Sequence, residues 1–131
     1  MKYFTIKELV KSSTAEAKGI DNTPNPDIES NLTALVNNVL DPLREIYGKP
    51  IKVNSGYRCP TLNKAIGGSA TSDHVKGFAA DITVGTKEGN ERLFNIIKHN
   101  FHFSQLIDEK DFSWVHVSYN PNNLKNQILK L

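Results

Sequence analysis

Asp81 stands inside an apolar run, Phe78-Ala79-Ala80-Asp81-Ile82-Thr83-Val84. A carboxylate in such a strand needs a partner, because an unpaired buried charge is costly. Seven residues earlier, His74 lies in Ser72-Asp73-His74-Val75-Lys76-Gly77, a glycine-containing loop able to fold back beside the start of that strand. His116 sits between Val115 and Val117, again a polar ring at an apolar mid-strand position. Two imidazoles and one carboxylate suit zinc, and three protein ligands leave a fourth position for water, as a catalytic zinc requires. One ion per chain is the expectation. Each of the three also has an ordinary structural use, as a buried ring bonded to a carbonyl or an Asp capping a turn. A loop spacing does not fix side-chain direction as a helical His-Glu-x-x-His does. The remaining histidines, His99 and His102, end an amphipathic stretch and are expected at the surface or as caps.

These residues must be positioned by the elements around them. Thr5-Ile6-Lys7-Glu8 has the form of a capping box and predicts a short helix over 5–12. Residues 13–26 carry Ser, Thr, Gly, Asn and two prolines and read as a surface loop, with Pro26 in the first turn of the next helix. Ile28, Leu32, Leu35, Val36, Val39, Leu40, Leu43 and Ile46 form one apolar stripe of a long helix. Pro42 inside it predicts a kink or break near Leu40-Asp41. Residues 51–55 alternate as a half-buried strand, 60–66 make a short helix closed by Gly67-Gly68, and 78–84 form a buried strand. Residues 87–100 form a second amphipathic helix, with Leu93, Phe94, Ile96 and Ile97 inward. Two alternating segments, 103–109 and 114–119, joined by Lys110-Asp111-Phe112-Ser113, read as a β-hairpin. The last ten residues either add an edge strand or simply pack. The fold class is α+β, with a small central antiparallel sheet and helices packed on it.

The 131 residues carry 16 Lys+Arg against 14 Asp+Glu, a formal charge of +2. One domain spanning 1–131 is expected, since domains most often hold about 100–150 residues. At 38% hydrophobic and 23% charged, the composition is that of a soluble globular protein and argues against disorder, collagen-like repeats and coiled coil. Basic residues are scattered from Lys2 to Lys130 instead of forming a stripe, so nucleic acid is not an expected partner. Cys59 is the only cysteine, which rules out an intrachain disulfide and leaves His and carboxylates as metal ligands. No 18-residue apolar run and no signal-peptide pattern occur, so no membrane span is expected and the chain is expected in the cytosol until released.

Ser55-Gly56-Tyr57-Arg58-Cys59-Pro60, Leu62-Asn63, Gly67-Gly68, Ser72-x-His74-x-x-Gly77-x-Ala79-Ala80-Asp81-Ile82 and Trp114-Val115-His116-Val117-Ser118-Tyr119, taken together, closely resemble the zinc D-Ala-D-Ala carboxypeptidase family of peptidoglycan peptidases. That family includes D,D-carboxypeptidases, vancomycin-resistance dipeptidases and phage L-Ala-D-Glu endolysins, and shares its core with lysostaphin-type enzymes and the hedgehog domain. The resemblance is strongest over residues 28–119 and implies a hedgehog-like peptidase fold with His74, Asp81 and His116 as zinc ligands. It also implies that Arg58 helps bind substrate near the metal. A guanidinium can grip a peptide carboxylate through two hydrogen bonds or polarise a carbonyl as charge develops on it. Ser72, two residues before the first ligand, reads as a second substrate-binding group. Cys59 stands where relatives often carry Ser and is read as incidental.

The general base departs from the better-known pattern. Many relatives place an acid three residues before the third ligand, a position held here by Ser113. Asp108, Glu109 and Asp111 are the nearby acids. If the hairpin pairs Glu109 with Trp114 and Ile107 with His116, Glu109 shares the sheet face of His116 one diagonal step away, and Asp108 points to the opposite face. Glu109 is therefore the expected base and Asp111 the fallback. Short relatives with a Gln-Leu-Ile segment also carry Glu two residues after the Ile, as here.

The resemblance implies hydrolysis of peptidoglycan stem peptides by a zinc-activated water, as a carboxypeptidase or an endopeptidase of endolysin type, acting at the bacterial cell wall. A monomer is expected. The competing readings are a non-catalytic zinc-containing cell-wall-binding module and a phage structural module of the same fold.

Overall fold

The computed structural model describes all 131 residues. The chain begins with α1 (Ile6–Val10), whose N-terminus is capped by Thr5 Oγ1 accepting from the Glu8 amide at 3.1 Å. The expected loop over 13–26 opens with a helix of its own, α2 (Ser13–Lys18), capped by Ser12 and closed by Gly19 at φ 65°. Six residues are too few for helical periodicity to register, and the two caps carry the local signal instead.

The long helix starts as expected. α3 (Pro26–Leu35) has Pro26 in its first turn, and Asn25 Oδ1 accepts from the Ile28 amide at 2.8 Å. A π-helical turn, Val36–Leu40, then leads into α4 (Asp41–Tyr47). The wider turn is the form the proline-induced irregularity takes: the Asp41 amide reaches back to Val36 O, which loosens the tight ring where Pro42 cannot donate. The apolar stripe is fully buried from Leu32 to Leu43, but Ile46 is exposed, so the inward face ends one turn earlier than its pattern suggests.

The sheet runs β1-β2-β4-β3-β5, from β1 (Lys52–Ser55), β2 (Ala79–Thr83), β3 (Gln105–Glu109), β4 (Trp114–Ser118) and β5 (Gln127–Lys130). The first four strands are antiparallel, as the sequence predicts. β5 joins the edge parallel to β3 and makes the sheet mixed. The hairpin register is the expected one, with Glu109 opposite Trp114 and Ile107 opposite His116.

Strand alternation gives the sheet two unlike faces. Ala80, Ile82, Leu106, Val115 and Val117 point into a cluster of 19 buried apolar residues with α3, the π turn, α4 and α6 (Lys87–Asn100). Ile96 is only partly buried on α6, whereas Leu93, Phe94 and Ile97 are inside as expected. Burying each such Leu, Ile or Val side chain contributes about 1.5–3 kcal/mol, so this face fixes the register that the other face depends on. On the other face Asp81 and His116 stand opposite each other, with Ile107 beyond. Over that face lies the segment from α5 (Pro60–Ala65) to the tight helical turn Asp73–Lys76.

Candidate metal centre

His74, Asp81 and His116 come together, each offering one ligand atom within 4.8 Å of the others. Asp81 and His116 are cross-strand partners on β2 and β4. His74 comes from the Asp73–Lys76 turn, whose first amides are held by Ser72: its Oγ accepts from the His74 amide at 3.2 Å. Gly77 then turns the chain at φ 76° into β2.

The His74 ring is fixed from behind. Its Nδ1 lies 2.7 Å from the Gly56 carbonyl oxygen, so Nδ1 donates and Nε2 keeps its lone pair toward Asp81. The Arg58 amide donates to His74 O at 3.1 Å, and the Tyr57 amide donates to Leu9 O at 2.8 Å. Gly56 is forced by this packing, since a Cβ there would fall 2.2 Å from Leu9 O. A buried ring on a carbonyl and a ligand with a free nitrogen are therefore one arrangement, not alternatives.

His116 Nδ1 stands 3.0 Å from Asp81 Oδ1, and His74 Nε2 stands 3.4 Å from Asp81 Oδ2. Ligand atoms about 2.1 Å from a tetrahedral zinc lie about 3.4 Å from one another, so the donor set and its spacing fit that ion. The two rings meet edge to face, with centroids 5.1 Å apart. Burial works against the Asp81 charge, but the imidazoles of His116 and His74 beside it outweigh that cost and hold the carboxyl well below the usual carboxylate range. It is thus a ready anionic ligand.

The centre opens into a cleft of about 870 Å³, a size suited to a ligand, lined among others by Arg58, Ser72, Glu109 and Trp114. Arg58 Nη2 stands 3.5 Å from Ser72 Oγ, while Arg58 Nε is buried without a partner. Burial lowers the guanidinium's pKa from its usual value, against the pull of Asp81. Arg58 therefore brings unspent donors to the edge of the metal centre.

Among the acids, the register puts Glu109 on the His116 face, half-buried in the cleft. Asp108 is on the other face, buried, with Oδ1 accepting from the Phe112 amide at 2.6 Å. Asp111 is exposed and paired with Lys87 at 2.8 Å, outside the residues lining the cleft. The fallback base is therefore not brought to the centre. A further carboxylate, Asp73, lines the cleft and was not singled out by the sequence.

Sequence reasoning also missed Asn90. Fully buried on α6, its Oδ1 accepts from the Val84 amide at 2.8 Å, and its Nδ2 donates to Phe112 O at 2.9 Å and to Ser113 O at 3.2 Å. It ties the end of β2 to the turn after Glu109. The signal was present: Asn90 falls on the same helical stripe as Leu93, Phe94 and Ile97, where a polar residue needs a reason. His99 and His102 are exposed, as expected.

No helix of the chain is long and apolar enough to cross a membrane. A family model described as peptidase M15 matches residues 2–118. A curated relative, the zinc D-Ala-D-Ala carboxypeptidase of Streptomyces albus G, is 43% identical over 49 residues, a stretch that covers 37% of this chain and 19% of the relative. The matched stretch thus spans about a fifth of the relative's length.

Proposed function

The chain belongs to the peptidase M15 family, and from that premise we propose that it is a zinc peptidase that hydrolyses peptide bonds in peptidoglycan stem peptides. The observation that carries this reading is the His74–Asp81–His116 cluster opening into a peptide-sized cleft beside Arg58 and Glu109. His74 through Nε2, Asp81 and His116 would hold one zinc per chain. When bound, zinc supplies Lewis acidity that brings the pKa of a water molecule toward about 7 and polarises a carbonyl.

The remaining work falls to this chain's own groups. A Glu109 carboxylate oxygen accepts the proton of the attacking water and returns it to the nitrogen of the leaving amine. Arg58, whose guanidinium nitrogens make only the Ser72 contact within the fold, binds the substrate carbonyl or a nearby carboxylate as negative charge develops. Ser72 keeps the His74 turn in shape and, through its contact with Arg58, aligns that guanidinium. Trp114, opposite Glu109 on the same face, limits water on that side of the cleft. The site of action is the cell wall, and the chain works as a monomer.

The test is zinc analysis and cleavage of a synthetic stem pentapeptide, run in parallel on the native chain and Glu109→Gln. Expected are about one zinc per chain in both and a kcat lower by about 10²–10⁴-fold in the variant. Stoichiometric zinc without cleavage of any stem peptide would favour the non-catalytic module. Full turnover in Glu109→Gln would remove it as the base.

A further inference from the structure

The metal cleft continues past Arg58. Arg58 and Ile66 line both that cleft and a second basin of about 540 Å³. β1 runs along this basin from Lys52 to Ser55, and the end of α1 and the start of α2 contribute Glu8, Lys11 and Ser12. β1 pairs with β2 only, with a bulge between Val53 and Ser55; α1 packs beside it, yet no backbone or side-chain hydrogen bond takes up the strand's outer amides and carbonyls from Lys52 to Ser55. An unpaired edge presents a row of amide and carbonyl groups to any extended chain beside it. Ser55, at its end, is the cross-strand partner of Asp81, which places that end of the basin one strand away from a metal ligand.

The charges along this path are uneven. Lys11 and Lys52 are exposed and make no ion pair, and Arg58 stands at the junction. Glu8 is the one acid in the basin, and burial pushes its carboxyl up against the opposing effect of the Thr5 backbone bond. A polar, net-basic trough beside a free strand edge suits an extended acidic peptide, bound by main-chain pairing for affinity and by side-chain charge for selection.

Resting on the peptidase reading above, we infer that the substrate peptide adds as a strand to the outer edge of β1 and sets a free carboxylate against Lys11 and Lys52 while its scissile bond lies at the metal centre. The basin is a specificity subsite for acidic peptides.

Zinc-loaded, isotope-labelled Glu109→Gln protein titrated with L-Ala-γ-D-Glu-L-Lys-D-Ala tests this by amide chemical shift, a readout independent of turnover. Shifts are expected at Lys52, Val53, Asn54 and Ser55 as well as around His74 and His116. In the Lys11→Gln/Lys52→Gln double variant, affinity for this peptide falls about tenfold and affinity for the same peptide with its D-Glu carboxylate amidated stays unchanged. Shifts confined to the metal cleft overturn the β1 subsite and leave the peptidase reading standing. No shift anywhere overturns both. Equal loss for the free and amidated peptides overturns the role given to the carboxylate. Both lysines are exposed, so the variant retains the fold.

Discussion

Asp81 and His116 face each other across a regular strand pair, whereas Glu109 leads into a turn where Lys110, Asp111 and Phe112 have φ of 49°, 56° and 59°. Left-handed backbone costs a non-glycine residue roughly 1–2 kcal/mol, and three in succession are held here without a glycine. Most of what holds them lies outside the cleft, Leu131 alone also lining it. Asp108 Oδ1 binds the Phe112 amide, Asn90 binds Phe112 O and Ser113 O, Phe112 packs edge to face on Phe94, and Leu131 O accepts from the Lys110 amide. Two of the metal ligands, Asp81 and His116, are placed by sheet register, which the whole core enforces, and the third, His74, is held by the turn that packs on them. The proposed base is placed by local clamps on a strained turn. The two should therefore fail separately, and through different substitutions.

The largest effect is expected from His116→Ala, which removes a ligand without touching the turn. Zinc content measured after metal is offered should fall below stoichiometry, and turnover should drop to background. Retained zinc with full activity would exclude this trio as the centre. Gly56→Ala tests the same region from behind. Its new Cβ meets Leu9 backbone at 2.2 Å, so the carbonyl that orients His74 must move. Zinc affinity, read by competition with a chelator, should weaken about 10–100-fold, the usual cost of disturbing a ligand's outer partner. Unchanged zinc affinity would show that the ring does not need that carbonyl.

Much of the first region was legible in the sequence because its signals are chemical. A carboxylate in Ala79-Ala80-Asp81-Ile82 and an imidazole in Val115-His116-Val117 are anomalies wherever the strands pair. The face of Glu109 was legible too, since alternation and a four-residue connection leave one consistent register. The strained turn was not. Lys-Asp-Phe carries no glycine to announce positive φ, and its conformation is imposed by Asn90 and Phe94, which are distant in sequence. β5 was undecidable for a related reason: its partner β3 is parallel and some twenty residues away, so no local turn signal fixes it.

Asn90→Ala should separate the two regions in the opposite sense. It leaves the Val84 amide and two carbonyls of the turn without a buried partner, at about 1–3 kcal/mol for each such group. Thermal unfolding should show a loss of about 3 kcal/mol or more in total. The freed turn should lower kcat at temperatures where the protein stays folded, and zinc stoichiometry should be unchanged. Loss of zinc along with kcat would mean that the clamp supports β2 and its Asp81 as much as it supports Glu109.

Asp111→Gly has the smallest expected effect and probes the strain most directly. Asp111 is at the exposed tip of the turn, outside the cleft, and its contact is the ion pair with Lys87. That pair is solvent-exposed on both sides, where salt and side-chain entropy leave little net stabilisation. Glycine adopts φ near +56° without the Cβ clash, so the substitution removes strain and sacrifices a weak contact. It also makes the unfolded chain more flexible, which works against the gain. Because Asp is among the residues that tolerate this backbone best, the balance is a shift in Tm of at most about 2–5 °C, upward if strain outweighs the other two effects. Activity should be unaltered, since neither Glu109 nor any metal ligand is touched. A fall in Tm together with a fall in kcat would mean that the Lys87–Asp111 contact, and not the buried clamps of Asp108 and Asn90, holds the turn that carries the base.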